Sequence, residues 1–376
     1  MRYKILFLIE SLSGGGAEKV LTVLLKYLDY EKYEVTLCPI VDTGIYCEEV
    51  QKYISNYKPI VTYRGNKVHR CLNRIKYKLI YSVMPLSWVY KLFIPKGCDV
   101  EVAFCEGYVT KLLAHSCSRT KKIAWVHIDL KYFPWTIDKG IFKDVNEERS
   151  AYATMDRIVC VSKTVEKSFQ ERYGLKERSC AIYNPIDIED IKKKAGQKVL
   201  NNDGVFRIIS IGRLVPQKGY DRLLRVVKQL HEENYSLNLL ILGEGQEHKI
   251  LDTYIRENRM QDYVCLPGFT SNPYKDLQNA DLFVCSSRVE GFSLVVAEAM
   301  VLEVPVLSTY CSGPNELLEE GKNGLLIENS EKALYEGIKH ILDCKSLLKN
   351  YIIPARCRIM DFDPQNIICE IEKTVL

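Results

Sequence analysis

Short apolar runs alternate along this chain with segments of helical periodicity, and the alternation starts again after residue 200. "YKILFLIESL" (3–12) is an apolar run that ends at Ser13-Gly14-Gly15-Gly16. "AEKVLTVLLKYL" (17–28) follows with Val20, Val23, Leu24 and Leu28 at helical spacing, and "YEVTLCPIV" (33–41) reads as a strand again. Strand, glycine turn, helix and strand open a parallel α/β sheet. "CDVEVAF" (98–104), "KKIAWVHI" (121–128) and "DRIVCVS" (156–162) predict further strands. The second series runs "FRIISIGRL" (206–214, strand), "YDRLLRVVKQLHEE" (220–233, helix), "LNLLILGEG" (237–245, strand) and "QEHKILDTYIREN" (246–258, helix). "YVCLPGF" (263–269), "DLFVCSS" (281–287) and "VPVLST" (304–309) continue it. The fold class is therefore α/β in two units, as 376 residues suggest at about 150 per domain. The expected boundaries are 1–187, a polar linker over 188–204, and 205–355.

Composition narrows the class. At 47% hydrophobic and 27% charged, the chain is that of an ordinary globular protein. None of its 14 cysteines forms a C-x-x-C pair, so no zinc site is expected and the thiols read as reduced, in a cytoplasm. The first apolar run is too short for a secretory segment, and no stretch reaches the roughly 18 consecutive apolar residues of a membrane span.

Charge is divided unevenly. Residues 1–200 carry a net +10 and residues 201–376 a net −6. From Val50 to Cys98 there is no acidic residue, while ten Lys or Arg are interleaved with aromatic and aliphatic side chains. Arg70, Arg74, Lys76, Lys78 and Trp88 in this stretch describe a helical surface suited to an anionic membrane. A solvated helical face over ordinary core positions is the plainer alternative. Nucleic acid would also suit such a stripe, but no recognition motif accompanies it, so none is expected as a partner.

Three segments carry chemistry. Gly14-Gly15-Gly16 joins the first strand to the first helix, where backbone N–H groups and the helix N-terminus attract an anion. It is not a dinucleotide fingerprint, since G-x-G-x-x-G would need glycine where Lys19 stands. In "IGRLVPQKGYDRLL" (211–224), Arg213 and Lys218 leave the carboxyl end of a strand, where ligands of open α/β sheets bind. Two cations there can neutralise a diphosphate, although Arg and Lys in loops are more often only solvated. In "SSRVEGFSLVVAEAM" (286–300), Glu290 stands at a loop mouth and Glu298 inside the apolar helix that follows. The N–H groups of Phe292, Ser293 and Leu294 fall at that helix start, where phosphate or sugar oxygens can be bound. A carboxylate among Val295, Val296 and Ala297 needs donors, which a ribose diol supplies, while Glu290 can meet the hexose.

Glu290 and Glu298 in an E-x7-E arrangement, "GRLVPQKG", "LGEGQE" (242–247), "GGGAEKV" and "NPID" (184–187) together resemble the retaining glycosyltransferases of family four, of bacterial exopolysaccharide or capsule type. The resemblance follows nearly the whole chain in order and is loosest over residues 45–120. It implies the GT-B fold: two Rossmann-like domains facing across a cleft, the first (1–187) an acceptor domain and the second (205–355) the nucleotide-sugar donor domain, with a C-terminal helix, here 356–376, returning to the first. It implies that Arg213 and Lys218 bind the donor diphosphate and stabilise charge as the nucleotide leaves, that Glu298 holds the ribose, and that Glu290 and Gly291 meet the donor sugar. Gly15 and Gly16 would close over the phosphates, the loop 268–274 would flank the base, and His127 in "WVHIDL" would lie near the donor sugar. No metal is expected; the Asp-x-Asp at Asp361 and Asp363 reads as a turn or cap.

The expected function is transfer of a hexose, with retention, from a UDP-sugar to a lipid-linked saccharide at the cytoplasmic face of the plasma membrane, in capsule or exopolysaccharide assembly, with Arg70, Arg74, Lys76, Lys78 and Trp88 as the membrane and acceptor surface. The nucleotide-sugar is a substrate, and no cofactor is expected. The rivals are a UDP-sugar epimerase of the same fold and a non-catalytic, membrane-associated nucleotide-sugar-binding protein.

Overall fold

The computed structural model describes residues 2–54, 56–198, 204–374 and 376. The chain divides into two compact units, one of Met1–Pro185 with Pro364–Leu376, the other of Ile186–Asp363. Among the described residues the first unit contains β1 (Tyr3–Ile9), β2 (Tyr33–Pro39), β3 (Val41–Asp42), β4 (Asn56–Tyr57), β5 (Val61–Thr62), β6 (Val100–Ala103), β7 (Lys121–Val126), β8 (Arg157–Cys160) and β9 (Ser179–Ala181). The second contains β10 (Phe206–Ile211), β11 (Leu237–Leu242), β12 (Val264–Gly268), β13 (Leu282–Cys285), β14 (Val306–Thr309) and β15 (Leu325–Ile327).

The large sheet of the first unit has the order β4-β2-β1-β6-β7-β8-β9; that of the second is β12-β11-β10-β13-β14-β15. Every pairing in both is parallel. With the small β3–β5 pair set aside, each sheet winds outward one way from its first strand and then the other. That is the doubly wound Rossmann order, and it creates a switch point between β1 and β6 and another between β10 and β13. Parallel strands are covered on both faces, which is why Ile5–Ile9 are buried without alternation. β1 is central, with Ile5 facing Val35 on one side and Val100 on the other. In the second unit the Tyr220–Glu232 helix lays Leu223, Leu224, Val227 and Leu230 on a core shared with Ile208, Leu239 and Val284.

The expected strands run long at their carboxyl ends. β10 stops at Ile211 and not at 214, because beyond Gly212 the backbone leaves the ladder while Leu214 remains buried. Within the stretch expected as linker, Ile188–Ala195 is a helix of the second unit; Asp187 caps it by accepting the Asp190 N–H, and Ile191 and Ala195 are buried. Residues 199–203 of that stretch lie outside the described residues. The return to the first unit begins at Pro364 and not at 356. Before it, Ala355 and Ile359 of the Lys349–Ile359 helix are buried, and Phe362 sets its ring edge-on to Phe292 at 5.5 Å while its carbonyl accepts the Ile186 N–H. The final helix, Pro364–Thr374, buries Ile367, Ile368 and Ile371. Asp361 bonds Arg358 at 2.7 Å across a 3₁₀ turn, Met360–Phe362.

Candidate functional site

In the second unit two of the sequence-predicted residues, Lys218 and Glu290, meet at the β10/β13 switch point with Arg213 nearby. After β10 the chain makes one 3₁₀ turn, Pro216–Lys218, and Gly219 then takes the left-handed conformation (φ 66°) that starts the Tyr220–Glu232 helix. A Cβ on Gly219 would lie 2.3 Å from the Ser286 carbonyl oxygen, so only glycine lets this turn sit on the loop after β13. The contact brings together residues far apart in sequence. Lys218 Nζ reaches Glu290 Oε1 at 2.5 Å, and the Ser287 hydroxyl donates to the same oxygen at 2.6 Å. Burial pulls the Lys218 ammonium down, but the Glu290 carboxylate outweighs it and holds the lysine above its ordinary range; nearby Arg213 opposes that effect. Glu290 is nearly buried, and Arg213 is exposed.

Two residues the motifs do not name hold this geometry. The Ser286 hydroxyl donates to the Lys218 carbonyl at 2.8 Å. Arg222, only 5% exposed, donates from Nε to the Ser286 carbonyl (3.0 Å) and from Nη2 to those of Ser286 (2.5 Å) and Ser287 (3.0 Å). A guanidinium spent on main-chain carbonyls is a brace between the helix and the loop that carries Glu290. From Ser293, which makes no side-chain capping bond, the Leu294–Val301 helix runs inward with Glu298 at 3% exposure. Gly291 and Phe292 are buried, the latter against Phe362. Two cations beside one clamped carboxylate, at a helix start, can bind a diphosphate and an adjoining polyol.

In the first unit, Gly15 is the N-cap of the Gly16–Tyr27 helix. His127 follows β7. Its Nε2 lies 2.9 Å from the Phe104 carbonyl, an acceptor only, so that nitrogen carries the hydrogen and Nδ1 keeps its lone pair. Burial lowers the imidazole to about 4, which leaves it neutral near pH 7 and able to accept a hydroxyl at Nδ1. Its main-chain N–H donates to Glu106 at 3.0 Å. Glu106 is a buried carboxylate that sequence reasoning passed over; it follows β6 as Glu10 follows β1.

The basic stretch forms two helices, Lys67–Ser82 and Leu86–Phe93. Val68, Leu72, Ile75, Leu79 and Val83 make an exposed stripe at helical spacing, joined by exposed Trp88 and Leu92. Arg70, Arg74 and Lys78 are exposed, whereas Lys76 is not part of that surface. Its ammonium donates to the Ile60 carbonyl at 2.6 Å and sits over the Phe93 ring at 4.6 Å, so it fastens the two helices down. Among the described residues no helix is long and apolar enough to cross a membrane.

Two family descriptions divide the chain between them: Glycosyltransferase Family 4 over residues 14–190, and Glycosyl transferases group 1 over residues 191–358. A glycosyltransferase of Methanocaldococcus jannaschii is 32% identical over 71% of this chain and 70% of its own. The Campylobacter jejuni N-acetylgalactosaminyltransferase named for N-acetylgalactosamine-N,N'-diacetylbacillosaminyl-diphospho-undecaprenol is 28% identical over 98% of both chains. Among solved structures, HepE of Anabaena in complex with UDP and glucose superposes with a TM-score of 0.77 at 20% identity, over 100% of this chain and 99% of that one. The fold is thus GT-B, with two Rossmann-like domains. The chain belongs to the family-four glycosyltransferases.

Proposed function

We propose that this glycosyltransferase moves a hexose, with retention of configuration, from a UDP-sugar to a lipid-linked saccharide in the assembly of a cell-surface polysaccharide. The observation that carries this reading is the Lys218–Glu290–Ser287 cluster beside Arg213 at the β10/β13 switch point. An incoming diphosphate competes with Glu290 for Lys218 and frees the carboxylate for the sugar hydroxyls. Arg213 and Lys218 supply the positive charge for the departing UDP, so the reaction is proposed to need no bound divalent metal or other cofactor. Glu298 takes the ribose, His127 Nδ1 a hydroxyl of the donor sugar, and Gly15 and Gly16 the phosphates. The bond from the anomeric carbon to the diphosphate breaks as the acceptor oxygen adds on the same face, and the acceptor's proton passes to the departing diphosphate.

The Campylobacter relative supports the lipid-linked acceptor, the HepE complexes support UDP, and the amylovoran biosynthesis glycosyltransferase AmsD of Erwinia amylovora, 23% identical over 97% of both chains, supports the polysaccharide. Thermal unfolding in EDTA, with UDP, GDP, CDP or NAD present, tests the donor. UDP at a hundred times its Kd adds about 2.7 kcal/mol, a rise of a few degrees. That rise is expected with UDP and lost in Glu298→Ala; a response to NAD alone overturns the reading.

The surface of the Lys67–Ser82 and Leu86–Phe93 helices is proposed to lie on the anionic inner face of the plasma membrane, with the protein attached peripherally from the cytoplasm. Its exposed apolar stripe and Trp88 enter the interface while Arg70, Arg74 and Lys78 meet lipid phosphates. At about 1 kcal/mol per cation, neutralising all three weakens partition onto phosphatidylglycerol vesicles about 100-fold. Cosedimentation equal to that of the parent protein refutes it.

A further inference from the structure

The first unit has a switch point of its own, and side chains unused by the donor chemistry gather there. Glu10 is the first residue beyond β1, and Cys105 and Glu106 follow β6. These ends are close enough that, after burial, Glu106, Glu18 and Glu10 all push the Cys105 thiol up. Glu10 has no cationic partner among the described residues. Its carboxylate is bonded by the Tyr81 hydroxyl, 3.1 Å from Oε1, and burial outweighs that bond to raise the carboxyl above its usual range. A half-buried strand-end carboxylate without a counter-charge is costly to keep for packing alone.

Tyr81 belongs to an aromatic stack. Its ring lies on that of Tyr108 with centroids 4.3 Å apart and planes at 28°, and Tyr77 lies 4.5 Å away on the Lys67–Ser82 helix. Tyr108 is buried and anchored by its hydroxyl to the Ile80 carbonyl at 3.0 Å, while Tyr77 is 38% exposed. The stack is thus fixed at one end and open to solvent at the other. Aromatic faces beside a single polar acceptor, at a switch point, suit a ligand with an apolar ring face and hydroxyl edges. A saccharide has both.

We infer that Glu10 and Tyr77 form the subsite for the acceptor saccharide, with Glu10 accepting a sugar hydroxyl and the outer face of Tyr77 packing against the ring, while Tyr81, stacked between Tyr77 and Tyr108 and bonded to Glu10, holds both in place. This rests on the glycosyl-transfer reading above and adds which residues of the first unit take the acceptor. It also gives the Lys67–Ser82 helix two roles: the stripe from Val68 to Val83 faces lipid, and Tyr77, backed by Tyr81, faces the sugar that the lipid carries.

The test uses the full chain with UDP-sugars as donors and short-chain prenyl-diphosphate-linked mono- and disaccharides as acceptors. Glu10→Gln is expected to raise acceptor KM at least tenfold and to leave the UDP-induced thermal shift of the parent in place. Tyr77→Ala, at a partly exposed position where folding is not at stake, is expected to raise acceptor KM in the same direction. Acceptor KM and kcat equal to those of the parent in both variants overturn the subsite. A parent protein that is stabilised by UDP but whose turnover no acceptor stimulates overturns the transfer reading itself, and the subsite with it.

Discussion

Lys218→Ala is expected to lower kcat/KM by about 10²–10³-fold, the loss typical of removing one preorganised group aimed at charge that develops in the transition state. The structure makes the loss more than that of a single cation. Lys218 and Ser287 converge on one oxygen of Glu290, so without the ammonium the nearly buried carboxylate keeps one hydroxyl and loses its counter-charge. It then faces the diphosphate instead of being exchanged for it. Glu290→Gln made in the parent protein is expected to cost a comparable factor. Made in the Lys218→Ala background it should cost far less, since residues that act as a unit are not additive. Steady-state kinetics on the two single variants and the double variant check this. A Lys218→Ala enzyme within threefold of the parent would mean that the ammonium serves packing and not the leaving group.

The two-unit α/β class was legible from the alternation of apolar runs because parallel strands, buried on both faces, leave continuous apolar stretches in sequence, whereas the strand order was not, and the two- and three-residue strands β4, β9 and β15 are too short to leave such a run. Helical periodicity marked the Tyr220–Glu232 helix to within a residue. Of the candidate site, the segments that carry Arg213, Lys218, Glu290 and Glu298 stand out in sequence by their glycines and spacing, and the structure brings Lys218 and Glu290 of those segments together. What the sequence hid is contact over distance. Arg222 reads as one more cation on an amphipathic helix, and nothing near it in sequence announces that its acceptors are the carbonyls of Ser286 and Ser287. Lys76 was misplaced for the same reason; a lysine among lysines gives no sign of having turned inward to Ile60. Glu10 sat unremarked at the end of "YKILFLIE", because the tyrosine that bonds it lies 71 positions away.

Arg222→Ala should therefore be the most damaging change outside the proposed contact residues. Removing the guanidinium takes away three hydrogen bonds to main-chain carbonyls, leaves the Ser286 carbonyl without that donor, and opens a cavity under the loop after β13. Bonds from a charged donor are worth about 1.5–3 kcal/mol each at most, and the relief of a buried cation offsets part of that. A net cost of about 3 kcal/mol is expected, read as an earlier midpoint in urea for the second unit. The Ser287 carbonyl also accepts from the Thr309 hydroxyl at 2.6 Å, so one end of the loop stays anchored and the unit still folds. Activity should fall further than stability accounts for, because the loop that loosens is the one that sets Ser287 and Glu290 against Lys218. Arg222→Lys separates the two effects: it keeps the positive charge but cannot span both carbonyls, so stability should recover in part while kcat stays low. An Arg222→Ala protein with an unshifted urea midpoint and the turnover of the parent would show that the turn at Gly219, packed on the Ser286 carbonyl, is enough to hold the site without the brace.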